Sequence, residues 1–394
     1  MICEKMADLG KKRSVIREIF EYGNKRRSEI GAENVFDFSL GNPSIPTPQE
    51  VTDIMLKLLS EKDPVSLHGY TSAQGAPAVR KAIAEDIKKR FNVDANPNLI
   101  YMTCGAAASL TITLNAIVNK GDEIIVLAPF FPEYRVFAEK AGANVKIIKC
   151  REDDFQIDFT VLESAINKNT KAIIVNSPNN PSGAVFSEAT IIELSTLLNM
   201  KSQEYGTDIY IIADEPYREL VYGNAVVPYI PKYYNNTIVC YSFSKSLSLP
   251  GERIGYIFVP ANVNLCDDVY AAVCGAGRAL GFVCAPSLLQ YTVAEVLGKT
   301  SDISVYEKNR NILLESLTEY GYTVAKPDGA FYLFVKSPEE DANAFCERAK
   351  KYEILIVPGD DFGFPGFVRI SYCVSTEMIL KSLNGFKNLI EEYR

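Results

Sequence analysis

Seven short apolar runs, separated mostly by longer helical patterns, limit what this 394-residue chain can fold into. They are 99-LIYMT, 123-EIIVLAP, 145-VKIIK, 172-AIIVNSP, 209-IYIIADEP, 238-IVCYSFS and 255-GYIFVP. Each is continuous rather than alternating, the pattern of a strand covered on both faces. Between several of them lie stretches with helical spacing, such as 188-EATIIELSTLLNMKSQEYG. Strand–helix–strand repetition of this kind predicts an α/β fold with a mostly parallel, seven-stranded sheet flanked by helices.

The pattern changes after about residue 290. A long helical stretch, 287-SLLQYTVAEVLGKTSDISVYEKNRNILLESLTEYG, leads to strands at 322-YTVAK and 331-FYLFVK. A helix at 341-DANAFCERAKKY and strands at 354-ILIVPG and 367-FVRISYC follow. A single hydrophobic core stops growing at roughly 250–300 residues. The chain is therefore expected to form a large domain over 47–290 and a smaller α+β domain from 1–46 and 291–394. The Pro-rich link 43-PSIPTPQEV joins the N-terminal helix to the smaller unit, and a cleft forms between the two.

Composition excludes several functions. A formal net charge of -8 argues against a nucleic-acid or anionic-membrane surface. Nine cysteines are scattered with no CxxC pair, which suits reduced thiols in the cytoplasm and no metal site. The one histidine, His68, rules out a multi-histidine zinc site and leaves lysine as the expected proton carrier near neutral pH. The N-terminal MICEKMADLGKKRSVIREIFEYGNKRRSEI lacks the apolar core of a secretory signal, and no 18-residue apolar run exists. The basic run 24-NKRRSE is read as a solvated helix face. His68 is read as a loop residue.

In open parallel sheets ligands gather beyond the carboxyl ends of the strands. TCG, APFFPEY, NSPNNPSG, DEPY and SFSKS all follow strand runs, so their residues should converge. Lys245 lies in the last of these, and burial beside other cations would lower its pKa and make it a nucleophilic amine. Asp214 ends a strongly apolar strand, where a carboxylate needs a cationic partner or several donors. TCGAAASL sets a glycine before a small-residue helix, whose first amides can bind phosphate. Ser242, Ser244 and Arg253 could complete such a cup. Each feature also has a plainer reading alone: a salt-bridge lysine, a capping aspartate, turn chemistry at Asn180, close helix packing at Gly105.

Together these residues carry a resemblance. SFSKSLSLPGERIG resembles the lysine signature of class I, fold-type I pyridoxal-phosphate-dependent aminotransferases, the aspartate aminotransferase family. A serine stands three residues before the lysine and an arginine eight after it. NPSG at Asn180, D-x-x-Y from Asp214 to Tyr217, and FVRIS with Arg369 recur in that order, so the resemblance spans SLGNPS to FVRIS. It implies a pyridoxal 5'-phosphate cofactor, with Lys245 forming the internal aldimine and shuttling the proton from Cα during passage through pyridoxamine phosphate. It implies that Asp214 pairs with the pyridinium nitrogen, that Tyr217 and Asn180 hold the ring oxygen, and that Phe131 stacks on the ring. Gly105, Ala106 and Ala107, by their backbone, would bind the phosphate with Ser242, Ser244 and Arg253. Tyr70 would reach the phosphate of a neighbouring subunit in a homodimer with shared active sites. Arg369 would clamp the substrate carboxylate, assisted by Gly41 and Asn180.

Two departures stand out. Ala107 replaces a side-chain donor found in many relatives, and the chain has no tryptophan for the ring stack. The segment 275-GAGRALG has a Gly-x-Gly but follows a helical pattern, not a strand, and is no dinucleotide site. Its Arg278 is read as a loop arginine at the dimer surface; the other reading has it hold a substrate's distal carboxylate from the partner subunit. The resemblance favours aspartate and 2-oxoglutarate as substrates, with alanine or aromatic donors open. A carbon–sulfur β-lyase or α,γ-eliminating synthase on the same fold is the alternative. A non-catalytic regulator that binds the cofactor is disfavoured by the charge and by the want of a DNA-binding module before SLGNPS.

Overall fold

A computed structural model describes residues 2–11 and 15–394; Met1 and 12–14 of the quoted N-terminal stretch lie outside them. In chain order the strands are β1 (Phe36–Asp37), β2 (Ile100–Thr103), β3 (Glu123–Ala128), β4 (Asn144–Lys149), β5 (Thr170–Asn176) and β6 (Tyr210–Asp214). They continue with β7 (Thr237–Ser242), β8 (Gly255–Phe258), β9 (Tyr332–Lys336), β10 (Ile354–Leu355), β11 (Val357–Pro358) and β12 (Phe367–Ser371). The seven apolar runs form β2 to β8 and join one sheet in the order β2-β8-β7-β6-β5-β3-β4.

Five of these strands, β4, β3, β5, β6 and β7, run parallel. β8 is antiparallel to both its neighbours. The β7–β8 connection is too short for a crossover helix of ordinary length, so the chain turns back beside the strand it left. β6, β7 and β8 are buried along their whole length, as continuous apolar runs require. β4, at the sheet edge, is exposed at three of its six residues. The chain passes from β3 outward to β4, then returns to place β5 on the other side of β3. The loops after β3 and β5 therefore part and open a crevice at the carboxyl ends.

Beyond residue 300 a second sheet forms, with antiparallel order β11-β12-β9, beside the short parallel pair β1-β10. Helices Ser304–Tyr320, Ala342–Ala349 and Thr376–Glu391 pack on it. Local chemistry sets the helix ends. Asp341 accepts from the amides of Asn343 and Ala344, and Ser375 accepts from Met378. An aromatic cluster joins the two sheets: Phe155, from the loop after β4, lies 5.5 Å from Phe334 and 5.7 Å from Phe367, ring centre to ring centre.

Several expectations are corrected. The stretch over 287–321 is two helices, Ser287–Glu295 and Ser304–Tyr320, because the segment between them, with Gly298, leaves the helical path. 322-YTVAK contributes one isolated bridge, Val324 to Val335, instead of a strand. 354-ILIVPG splits into β10 and β11, which serve different sheets. GAGRALG is no loop: it completes helix Cys266–Leu280, which ends where Gly281 takes φ +78°. The basic run NKRRSE is only in part a solvated face: Asn24, Lys25, Ser28 and Glu29 are exposed, while Arg26 and Arg27 are half-buried. Arg26 pairs with Glu353 at 2.6 Å and Arg27 with the buried Asp37 at 2.6 Å, tying helix Val15–Ile30 to the parallel pair β1-β10. His68 ends the short helix Pro64–His68, where it is exposed. Among the described residues no helix is long and apolar enough to cross a membrane.

Phe334 is fully buried and touches four other phenylalanine rings. Phe334→Ala is expected to destabilise the fold by about 3–5 kcal/mol, read from urea unfolding; a loss below about 1 kcal/mol would show that the aromatic junction is dispensable.

Candidate active site

The crevice holds a cavity of about 320 Å³. Its wall includes Gly41, Ala106, Ala107, Phe131, Asn180, Asp214, Tyr217, Ser242, Ser244, Lys245, Arg253 and Arg369. Gly105 stands directly behind, as the residue that starts helix Ala106–Ile117. Two expected residues lie elsewhere in this chain. Tyr70 is 97% exposed and outside the cavity, and Arg278 is exposed in the last turn of its helix.

Lys245 sits in a single helical turn, Phe243–Ser246, that follows β7 without a break. Ser242 caps the turn by accepting from the Ser244 amide. The fully buried strand below and the cap fix where the lysine departs, and its side chain enters the cavity. Its Nζ donates to the Gly41 carbonyl at 2.6 Å. The amine retains some accessible surface because it faces the cavity, yet protein atoms surround it. Burial pushes its pKa down to about 8; Cys373 opposes this, and the Arg369 and Arg253 guanidiniums add to it.

Asp214 is the last residue of β6 and is 4% exposed. Its Oδ2 accepts from the Tyr134 hydroxyl, and its Oδ1 has no hydrogen-bond partner. Burial raises the carboxyl to about 7, against the hydrogen bond from Tyr134. A cationic N–H donor at Oδ1 would satisfy the orphan oxygen and restore the charge. Asn176 supports this corner. Its Nδ2 donates to the Asp214 carbonyl at 2.9 Å, and its Oδ1 accepts from the Asn180 amide at 2.8 Å.

At the opposite end, Gly105 takes φ +86° before the helix. A Cβ there would stand 3.0 Å from Nη2 of Arg253, so glycine admits the guanidinium against the helix start. Ser242 Oγ lies 2.8 Å from Ser244 Oγ on the same wall. Helix amides, two hydroxyls and an arginine with no acid in ion-pair range among the described residues form a cradle for a dianion. Arg369 is likewise buried, at 3% exposed, and has no carboxylate partner among the described residues. Its Nη1 donates to Asn180 Oδ1 at 3.1 Å and its Nη2 to the Ser39 carbonyl, while Nε has no partner.

Tyr134, Asn176 and Tyr332 line the same cavity but were not singled out from sequence. Tyr134 stands in the APFFPEY segment and Asn176 opens NSPNNPSG, so both lay in stretches already marked as strand ends. Nothing in the sequence signals that Tyr134 reaches across to β6. Tyr332 reads only as a strand residue in FYLFVK.

The unpartnered Asp214 oxygen, the dianion cradle, the aromatic face of Phe131 and the weakly basic lysine suit one group: a pyridine ring bearing a phosphate and an aldehyde. Fold and cavity thus define a fold-type I pyridoxal-phosphate enzyme. Comparison with known proteins carries this further. The profile of the family "aminotransferase class I and II" matches residues 33–385. A crystal structure of an amino transferase from Eubacterium rectale superposes with a TM-score of 0.99 at 55% identity, covering 100% of this chain and 99% of that one. The probable aspartate/prephenate aminotransferase of Aquifex aeolicus is 31% identical over 386 residues, 91% of this chain and 92% of its own length. The aspartate aminotransferase of Pyrococcus horikoshii is 30% identical over 393 residues, 96% of this chain and 95% of its own. The chain belongs to the class I pyridoxal-phosphate-dependent aminotransferases, of the aspartate aminotransferase type.

The depressed Lys245 amine has a direct consequence. Its neutral, reactive share is about half near pH 8 and grows as the pH rises. In cofactor-free protein, acylation of Lys245 by a small anhydride, followed by peptide mass spectrometry, is expected to reach half its plateau near pH 8. A half-point at the ordinary lysine value of 10.5 would contradict the desolvated setting.

Proposed function

We propose that this aminotransferase moves the amino group of aspartate to 2-oxoglutarate, with Lys245 as its covalent and proton-carrying residue. The observation that carries the reading is the grouping of Lys245, Asp214 and Arg369 in one cavity, all three without a carboxylate or cationic partner from the described residues. A buried charge left alone costs several kcal/mol, and a bound ligand that supplies the missing partners recovers that cost.

Pyridoxal phosphate, when bound, supplies an electron sink for a bond at the substrate Cα. The remaining work belongs to the chain. Asp214 would pair with the ring nitrogen and keep it charged. Tyr217 and Asn180 would hold the ring oxygen, and Phe131 would cover a ring face. Backbone at Gly105, Ala106 and Ala107, with Ser242, Ser244 and Arg253, would hold the phosphate. Arg369 would grip the substrate carboxylate, with Gly41 and Asn180 beside it, and so orient the Cα–H bond. Lys245 Nζ, partly neutral at pH 7, would take and return the Cα proton.

Further parts of the reading concern the whole molecule. The chain is proposed to act as a cytoplasmic homodimer, in which exposed Tyr70 completes the partner's phosphate site. Arg278, exposed in this chain, would serve a distal carboxylate only from a partner subunit. The division into 47–290 and 1–46 with 291–394 is supported by the separate sheets, with the active site at their junction.

A panel of amino donors against 2-oxoglutarate and pyruvate tests the substrate assignment. Aspartate with 2-oxoglutarate is expected to have the highest kcat/KM; a faster alanine or aromatic donor overturns the donor and leaves transamination standing. Ammonia and pyruvate released over many turnovers would instead indicate a lyase. Lys245→Ala is expected to lower turnover by about 10,000-fold while circular dichroism stays unchanged. Arg369→Ala is expected to raise KM for aspartate about 100-fold, and unaltered kinetics would remove it from the carboxylate site.

A further inference from the structure

Tyr332 occupies a place that the resemblance leaves unassigned. It starts β9 and is 2% exposed, yet part of its side chain forms the cavity wall. β9 pairs with β12 so that Tyr332 lies opposite Ser371, which makes Arg369 its diagonal neighbour on the same face. The Arg369 guanidinium lies 4.8 Å from the Tyr332 ring centre and 4.9 Å from that of Phe362. The tyrosine hydroxyl then leaves the small sheet altogether. It reaches Tyr217, beyond the end of β6 in the large sheet, at 3.0 Å between oxygens.

The opposing backbone is built to admit that hydroxyl. A Cβ on Gly41 would stand 2.0 Å from the Tyr332 oxygen, so any larger residue would displace it. Gly41 is also the residue whose carbonyl receives Lys245 Nζ. One buried phenol thus touches the arginine on the small sheet, the tyrosine on the large sheet and the loop that holds the lysine.

We propose that Tyr332 is a positioning residue that couples the Arg369 clamp to the Tyr217 phenol; this rests on the reading of the site given above. Among the described residues, Tyr217 is the hydrogen-bond partner of the Tyr332 hydroxyl. If Tyr332 accepted that bond, its own proton would be left unpaired in a buried place. The favourable arrangement has Tyr332 donating, which frees the Tyr217 proton to point into the cavity. A phenol that accepts one hydrogen bond donates the next more strongly. Tyr332 therefore sharpens Tyr217 as a donor to the cofactor's ring oxygen, while its ring fixes the plane of the Arg369 guanidinium.

Two variants of the cofactor-loaded protein separate the two roles. Tyr332→Phe keeps the ring against Arg369 and removes the hydroxyl. The pH midpoint of the bound cofactor's absorbance is expected to rise by about half a unit, because the ring oxygen loses a strong donor. kcat should fall about fivefold with KM for the amino acid nearly unchanged. Tyr332→Leu removes both, and should add about a tenfold rise in that KM. A Tyr332→Phe protein with the wild-type midpoint and kcat overturns the inference, as does one whose KM rises as far as that of the leucine variant. Should Tyr332→Leu fail to fold, the phenylalanine variant alone still decides, since it preserves the packing. An active, cofactor-bearing wild type beside unchanged variants overturns this inference only; a wild type with neither absorbance nor turnover overturns the reading beneath it as well.

Discussion

Charge taken out of water without an internal counter-ion is the constraint around which this structure is arranged. Lys245, Asp214 and Arg369 all open on the same cavity, and none has an ion-pair partner among the described residues. The protein's response to each differs. Burial shifts Lys245 toward the neutral amine and Asp214 toward the neutral acid. Arg369 stays charged, because a guanidinium does not lose its proton in a protein, and is held by carbonyl acceptors and aromatic rings. A site in this condition is poised for a ligand with an anionic end and a protonated ring nitrogen.

Holding such groups in place needs a rigid support, and two sheets share the task. The large sheet carries Asp214 and Lys245 at the ends of β6 and β7, strands buried along their length. The small sheet carries Arg369 on β12. What joins them is apolar in one place and polar in another. The phenylalanines around Phe334 and Phe155 seal the sheets together, while Tyr332 and Tyr217 meet across the cavity itself. The N-terminal helix belongs to the same arrangement. Arg27 pairs with Asp37, Asp37 accepts from the amide and hydroxyl of Ser39, and the Ser39 carbonyl accepts from Arg369. Arg27, in a surface-looking run of basic residues, is thus three hydrogen-bonded steps from Arg369.

Much of this is legible in the sequence. The seven apolar runs became the seven strands; six are covered on both faces and so have no room for alternation, while β4, expected to be covered like them, is a part-exposed edge strand. The cluster of strand-end motifs marked about half of the cavity wall. Several of the errors share a physical cause, since local pattern carries no information about what approaches from elsewhere in the chain. Arg26 and Arg27 in NKRRSE read as solvated until Glu353 and Asp37 are folded against them. The helical run after residue 286 is broken at Val296, a break that helical spacing alone does not mark. Tyr134 and Tyr332 look like ordinary aromatic core residues, and only their hydroxyl partners, 80 and 115 residues away, give them a place in the site.

By itself the sequence determined the seven strands of the large sheet, the carboxyl ends as the place where the motifs meet, and the lysine, aspartate and arginines that line the cavity. These follow from nearest-neighbour preferences and from the direction of a parallel sheet, both of which are local or nearly so. Tertiary structure alone decided how basic Lys245 is, which Asp214 oxygen stays free, and that Tyr332 bridges two sheets. Those properties depend on desolvation and on contacts between residues far apart in the chain, and neither exists until the chain has closed on itself.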